Sequence, residues 1–126
     1  MTTYESNPEY SQKPGLVQTI AIMTLVNGIL NILWGLTLAI ALTAGIVTLC
    51  LVPFSFLPVV LGIFEIVYAS QLLGTQPKPV KPSLAIAILE ICCILFFNAI
   101  SLIVGILALI FYNDARVKEY FAALNG

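Results

Sequence analysis

Between Leu16 and Leu73 the chain carries a single charged side chain, Glu65, and the only strong interruption in that apolar run is Thr43-Ala44-Gly45. Wound as helix, the run would be roughly 87 Å long, about three times the hydrocarbon core of a bilayer, so it has to fold back on itself. The sequence predicts two membrane spans there, about 16 to 43 and about 46 to 73. Pro53 and Pro58 lie near the start of the second. Each removes a backbone donor and clashes with the preceding turn, so a loop or kink is expected over 50 to 58, with regular helix from near Leu57.

Composition supports a membrane setting over a soluble one. Of 126 residues, 60% are hydrophobic and 9% charged; a soluble domain carries about 25% charged residues to coat its surface. Net charge is −1 with five Lys and Arg, too few for the clustered basic face that nucleic acid demands. Histidine is absent, which removes the commonest metal ligand and the commonest general base near neutral pH. Cys50, Cys92 and Cys93 have no CxxC-type spacing and are expected to be buried hydrophobes. No catalytic residue, metal site or cofactor is therefore assigned, and no small-molecule substrate is identifiable.

Residues 1-15 read as a polar N-terminal tail. Glu5 and Glu9 stand against Lys13, which is unlike the basic start of a cleavable signal, so the first helix is expected to stay in the mature protein. From Gly74 to Ser83, Pro77, Pro79 and Pro82 forbid helix while Lys78 and Lys81 need water, which makes an aqueous loop. The last apolar run, Leu84 to Tyr112, fits either one tilted helix of roughly 43 Å or two short helices turning near Asn98. A turn puts all five basic residues on one side, as the positive-inside rule prefers, and is the favoured alternative. Gly28-Ile29-Leu30-Asn31-Ile32, Gly62-Ile63-Phe64-Glu65-Ile66, Ala87-Ile88-Leu89-Glu90-Ile91 and Gly105-Ile106-Leu107-Ala108-Leu109 give one small-residue pattern per helix. The expected fold is all-α: an integral membrane four-helix bundle over 16-112, built of two helical hairpins, the second one short. An amphipathic, interfacial helix follows over 113-126, capped by Asn113 or Asp114, with Val117, Tyr120, Phe121 and Leu124 opposite Arg116, Lys118 and Glu119.

Glu65 and Glu90 are the informative positions. An acid deep in a bilayer costs about 2.5–3.5 kcal/mol on insertion scales and usually faces the bundle interior, pairs, or lines a pathway. Counting from Leu73 and Leu84 places the two roughly 12 and 9 Å from the same boundary, so their carboxyls are able to meet. Such a pair with no cation beside it is not fully ionised, and one or both acids are expected to be protonated near neutral pH. The pair is read either as a proton or cation site or as neutral, hydrogen-bonded acids that lock two helices. Asn27, Gly28, Asn31 and Gly35, with Gln18 and Thr24, form a polar and small stripe on the first helix. With Gly62 and Gly105, these residues are assigned to helix packing, and a bond from Asn31 to a carboxyl of the second helix is expected. Trp34, Phe54 and Phe56 are expected at the far interface, and Tyr112 and Tyr120 at the cytoplasmic one.

The runs Leu57 to Ala69 and Ile100 to Leu107, with the closing Tyr112-Asn113-Asp114-Ala115-Arg116-Val117-Lys118-Glu119-Tyr120-Phe121, resemble uncharacterised small four-helix integral membrane proteins of bacteria, those of the Chloroflexota especially. The likeness covers roughly residues 16 to 122. Such proteins often have proline after the Asn-Asp pair, where this chain has Ala115. The resemblance implies fold and topology and attaches no activity.

The function expected is that of a non-catalytic accessory or structural subunit within a larger membrane protein assembly, an energy-transducing complex being one candidate. Its partners would be the lipid bilayer and other membrane subunits. The alternative is a small proton- or cation-coupled transporter or channel using Glu65 and Glu90; a lipid-interacting organiser is a third reading. The chain is expected to be multi-pass in the cell membrane with both termini cytoplasmic.

Overall fold

The computed structural model describes residues 13–75 and 79–125; most of the polar tail and Lys78 of the loop lie outside them. Pro14 opens the first helix, α1 (Gly15–Thr43), with its fixed φ ahead of the first helical residue. Gly45 then turns the chain into a 3₁₀ segment, Ile46–Leu51. Thr48 Oγ1 holds that turn by donating to the Leu42 and Gly45 carbonyls at 2.6 and 2.8 Å.

The second helix, α2 (Val52–Leu73), begins about a turn earlier than the prolines suggest. Pro53 falls in the first turn, where its missing N–H would have had no intrahelical partner. Pro58 sits inside the helix and is buried; the bond it forfeits would have run to the Phe54 carbonyl, still within the fraying first turns. The expected break over 50 to 58 is therefore a short 3₁₀ segment followed by continuous helix.

α1 and α2 pack as an antiparallel hairpin whose backbones touch. A Cβ on Gly28 would stand 2.8 Å from the Gly62 carbonyl oxygen and 2.9 Å from Glu65 Cβ. One on Gly35 would meet the Ser55 carbonyl oxygen at 2.8 Å. These glycines are where two helix axes approach most closely, as small residues permit.

The run from Leu84 to Tyr112 turns back as a hairpin. Helix α3 (Leu84–Cys92) tightens into a 3₁₀ turn, Cys93–Phe96, and α4 (Ala99–Tyr112) returns alongside it. Phe97 takes the left-handed conformation, φ 59°, which costs a non-glycine residue about 1–2 kcal/mol. The turn is closed by Phe97 N–H to Ile94 O at 2.9 Å and Asn98 N–H to Cys93 O at 3.2 Å, the paired bonds of a Schellman stop. Asn98 then caps α4, its Oδ1 accepting from Ser101 N–H at 3.1 Å. The hairpin repeats the contact of the first: a Cβ on Gly105 would lie 2.6 Å from the Ala87 carbonyl oxygen and 2.9 Å from Glu90 Cβ. Each acid thus rides on a helix pressed against a glycine of its partner helix.

A 76° bend at Asn113 and Asp114 leads into α5 (Ala115–Asn125). Asp114 Oδ1 accepts from Arg116 N–H at 2.9 Å and caps it. Val117 and Phe121 are buried while Arg116, Lys118 and Glu119 face out. The Phe121 and Tyr112 rings meet edge-on at 6.1 Å. Lys13 donates to the Leu72 and Gly74 carbonyls, and Asn125 Nδ2 donates to Val80 O at 2.9 Å. The start of α1, the end of α2, the Pro-rich loop and α5 therefore gather at one end, together with Lys13, Lys81, Arg116 and Lys118.

The described residues are all-α, with two long apolar helices packed as a hairpin and shorter helices towards the C-terminus. Two segments, Gly15–Thr43 and Ile46–Leu73, are long and apolar enough to cross a membrane, and α4 with α5 would make a third if that bent pair is one span.

Candidate functional site

Asn27 and Asn31 are one helical turn apart in α1, so their amides point at the same neighbours. Asn27 Nδ2 donates to Glu65 Oε1 at 2.7 Å, and Asn31 Nδ2 donates to Glu65 Oε2 at 2.8 Å. Each carboxyl oxygen of Glu65 thus has its own amide. Both amides also reach Ser101 Oγ on α4, at 3.0 and 3.3 Å. Asn98 Nδ2 donates to Asn31 Oδ1 at 2.6 Å. The cluster ties the first hairpin to the second through α1, α2 and the turn before α4. Glu65, Glu90, Asn31 and Ser101 are 0% exposed and Asn27 is 1% exposed.

Glu90 is the exception in this bonded set. Its carboxyl faces Glu65 and Asn27, yet neither of its oxygens has a donor, and Asn27 Oδ1 also lacks one. All three are buried acceptor atoms. The two acids, read from the sequence as lying at one depth, do come together.

Gly28 and Gly62 lie where α1 meets α2, Gly35 lies against Ser55 and Val59, and Gly105 lies against Ala87 and Glu90. Thr24 joins the buried stripe, but Gln18 is exposed; it sits near the charged end of α1, where an amide can reach water. Cys93 is buried, whereas Cys50 and Cys92 are exposed, so of the three cysteines expected to be buried hydrophobes only Cys93 is one. Phe54 and Phe56 are exposed at the far end. Trp34 has a structural partner: its Nε1–H donates to Phe96 O at 2.8 Å, on the turn of the second hairpin.

Sequence reasoning did not single out Ser101 or Tyr68, and it marked Asn98 only as the place where the last apolar run turns. The available signal was the rarity of polar side chains in the apolar runs, together with the Asn-x-x-Ser capping spacing at 98 and 101. Tyr112, expected at an interface, is buried and donates to Tyr68 Oη at 3.1 Å; Tyr68 donates in turn to Lys81 O at 3.0 Å. That chain fastens the Pro-rich loop to α2 and α4. Among the described residues, no group of three or more His, Cys, Asp or Glu side chains gathers as a metal site.

No family model, curated protein or solved structure matches the chain.

Proposed function

We propose that this chain is a non-catalytic integral membrane subunit, a two-hairpin helical bundle that packs within a larger membrane assembly. The observation that carries the reading is the unequal height of the hairpins. The turn of the second ends level with Trp34, while α1 runs on to Thr43, about 14 Å further at 1.5 Å per residue. Above that step, Ile40 is 72% exposed, and Ile46 and Val47 are 87% and 89% exposed. We read this apolar end, standing clear of its own bundle, as a surface that a neighbouring subunit's helices would cover in place of lipid.

The short hairpin is built for membrane depth. In hydrocarbon a backbone polar group needs an internal partner, and three groups of the turn have one: Phe96 O takes the Trp34 N–H, while the Phe97 and Asn98 amides bond back to the 3₁₀ turn. We read it as a re-entrant hairpin beside a spanning one. With Lys13, Lys81, Arg116 and Lys118 at one end, the positive-inside rule makes that end cytoplasmic, with both termini there. A photo-crosslinking residue at Ile40, activated in native membranes, tests the subunit reading. Adducts with another polypeptide are expected; adducts with lipid alone would contradict it.

A second reading, a small proton- or cation-coupled transporter, is favoured by the donorless carboxyl of Glu90. Proteoliposome flux that is lost in Glu65→Gln and Glu90→Gln would support it, and flux indifferent to both would remove it.

A further inference from the structure

We propose that Glu65, Glu90 and Asn27 form a proton-binding site that holds two protons, one on each acid. Both Glu65 oxygens accept from amides, whereas Asn27 Oδ1 and both Glu90 oxygens are buried acceptors with no donor. What such a set lacks is hydrogen, and the groups that Glu90 faces across the interface are Glu65 and Asn27.

Two protons complete a closed ring. The protonated Glu65 carboxyl donates to one Glu90 oxygen, and the other Glu90 oxygen, protonated, donates to Asn27 Oδ1. Asn27 Nδ2 already donates to Glu65 Oε1. A protonated acid keeps acceptor capacity, so the amide bonds to Glu65 survive. Every orphan is then satisfied and the cluster is neutral. A single proton leaves a buried negative charge and at least one orphan. With no proton, two carboxylates face each other with no cation beside them, the arrangement that burial penalises most.

The other titratable side chains near the ring are Cys93, at the start of the 3₁₀ turn that follows α3, and Tyr112 from α4. Neither is a base able to take a proton from the acids. A metal cation fits less well than protons. Hard cations gather about six or more oxygens, while the oxygens without a donor are the three named above, and those of Glu65 are covered by amide hydrogens. The inference rests on the membrane-embedded reading for its lack of counter-ions, and it stands whether or not the chain serves a partner.

Infrared spectroscopy of the purified full chain in lipid nanodiscs at neutral pH tests it. The wild type is expected to show a protonated-acid C=O band that shifts on deuteration. Glu65→Gln and Glu90→Gln should each remove about half of it, and the double variant all of it, since each acid contributes one protonated carboxyl. Glu90→Gln keeps the test decisive if the others fold poorly, because its amide still donates to Asn27 Oδ1. Absence of the band in the wild type, or an undiminished band in Glu90→Gln, would overturn the proposal. So would disappearance of the band when sodium chloride replaces choline chloride, which would mark a metal-cation site. None of these outcomes bears on whether the chain crosslinks to a partner, so the two readings fail separately.

Discussion

Asn31 donates to Glu65 Oε2 at 2.8 Å across the first hairpin, and its own Oδ1 accepts from Asn98 at 2.6 Å across to the second. One side chain of α1 therefore bonds to both halves of the molecule, alongside the Asn27–Ser101, Trp34–Phe96 and Tyr112–Tyr68 bonds that also join them.

Replacing Asn31 with leucine keeps the volume roughly and removes these two bonds together with the longer one to Ser101 Oγ. Interhelical hydrogen bonds in membranes are worth about 0.6 to 1.7 kcal/mol each, and the abandoned partners add their own cost. Asn31→Leu should destabilise the protein by about 2 to 3 kcal/mol, seen as a lower Tm in detergent. A Tm equal to the wild type would mean that the two halves are held together elsewhere.

The two acids should respond differently to amide replacement. In Glu65→Gln one of the two donating asparagines meets an NH2 group in place of an oxygen, whereas Glu90→Gln brings a donor to a place that lacks one. Glu65→Gln should cost about 1 to 2 kcal/mol and Glu90→Gln close to nothing. Paired thermal unfolding curves check this, and equal losses would contradict it.

Gly62→Ala would drive a methyl into the Gly28 carbonyl and the Ile32 side chain. Overpacking against backbone costs about 1 to 3 kcal/mol. Gly15→Ala is the control, since a Cβ there meets nothing within 4 Å. Unfolding of the three proteins in detergent separates a specific helix contact from a general effect of added bulk.

Much of this architecture was legible in the sequence. An apolar run too long for one span, broken at Thr43-Ala44-Gly45, dictated the first hairpin, and helical rise placed Glu65 and Glu90 at similar depths. Asn98 marked the second turn because an amide that can cap is where a short helix restarts. The start of α2 was less legible: proline reads as a breaker, yet Pro53 falls in the first turn, where it is harmless. The Tyr112–Tyr68–Lys81 chain was hidden because an aromatic with a hydroxyl fits an interface and a buried bond equally well. The donorless Glu90 was beyond the sequence, since it depends on how two hairpins dock.

Trp34→Phe keeps an aromatic ring of smaller size and removes the N–H that donates to Phe96 O. About 1 kcal/mol is expected to be lost, confined to the turn. Hydrogen exchange should quicken at the Phe97 and Asn98 amides and stay unchanged at the Gly28–Gly62 contact.

Around Asp114, desolvation favours the protonated form but is outweighed by the Arg116 backbone N–H and guanidinium, which hold the carboxyl below its ordinary 3.8. A lowered value means that the cap contributes above the unfolded value and fades as pH falls through the folded one. Protection of the Arg116 N–H, taken relative to its intrinsic exchange at each pH, should therefore fall only as pH drops below that ordinary value, and Asp114→Asn should abolish that step. A step centred near neutral pH would exclude Asp114 as its source.

The account rests most on the claim that this bundle is one piece of a larger membrane assembly. Purification of the native full chain from its own membranes in mild detergent, followed by native mass measurement, tests that directly. The account predicts a particle containing this chain together with at least one different polypeptide. A particle holding only this chain, as monomer or homo-oligomer, across several mild detergents would contradict it.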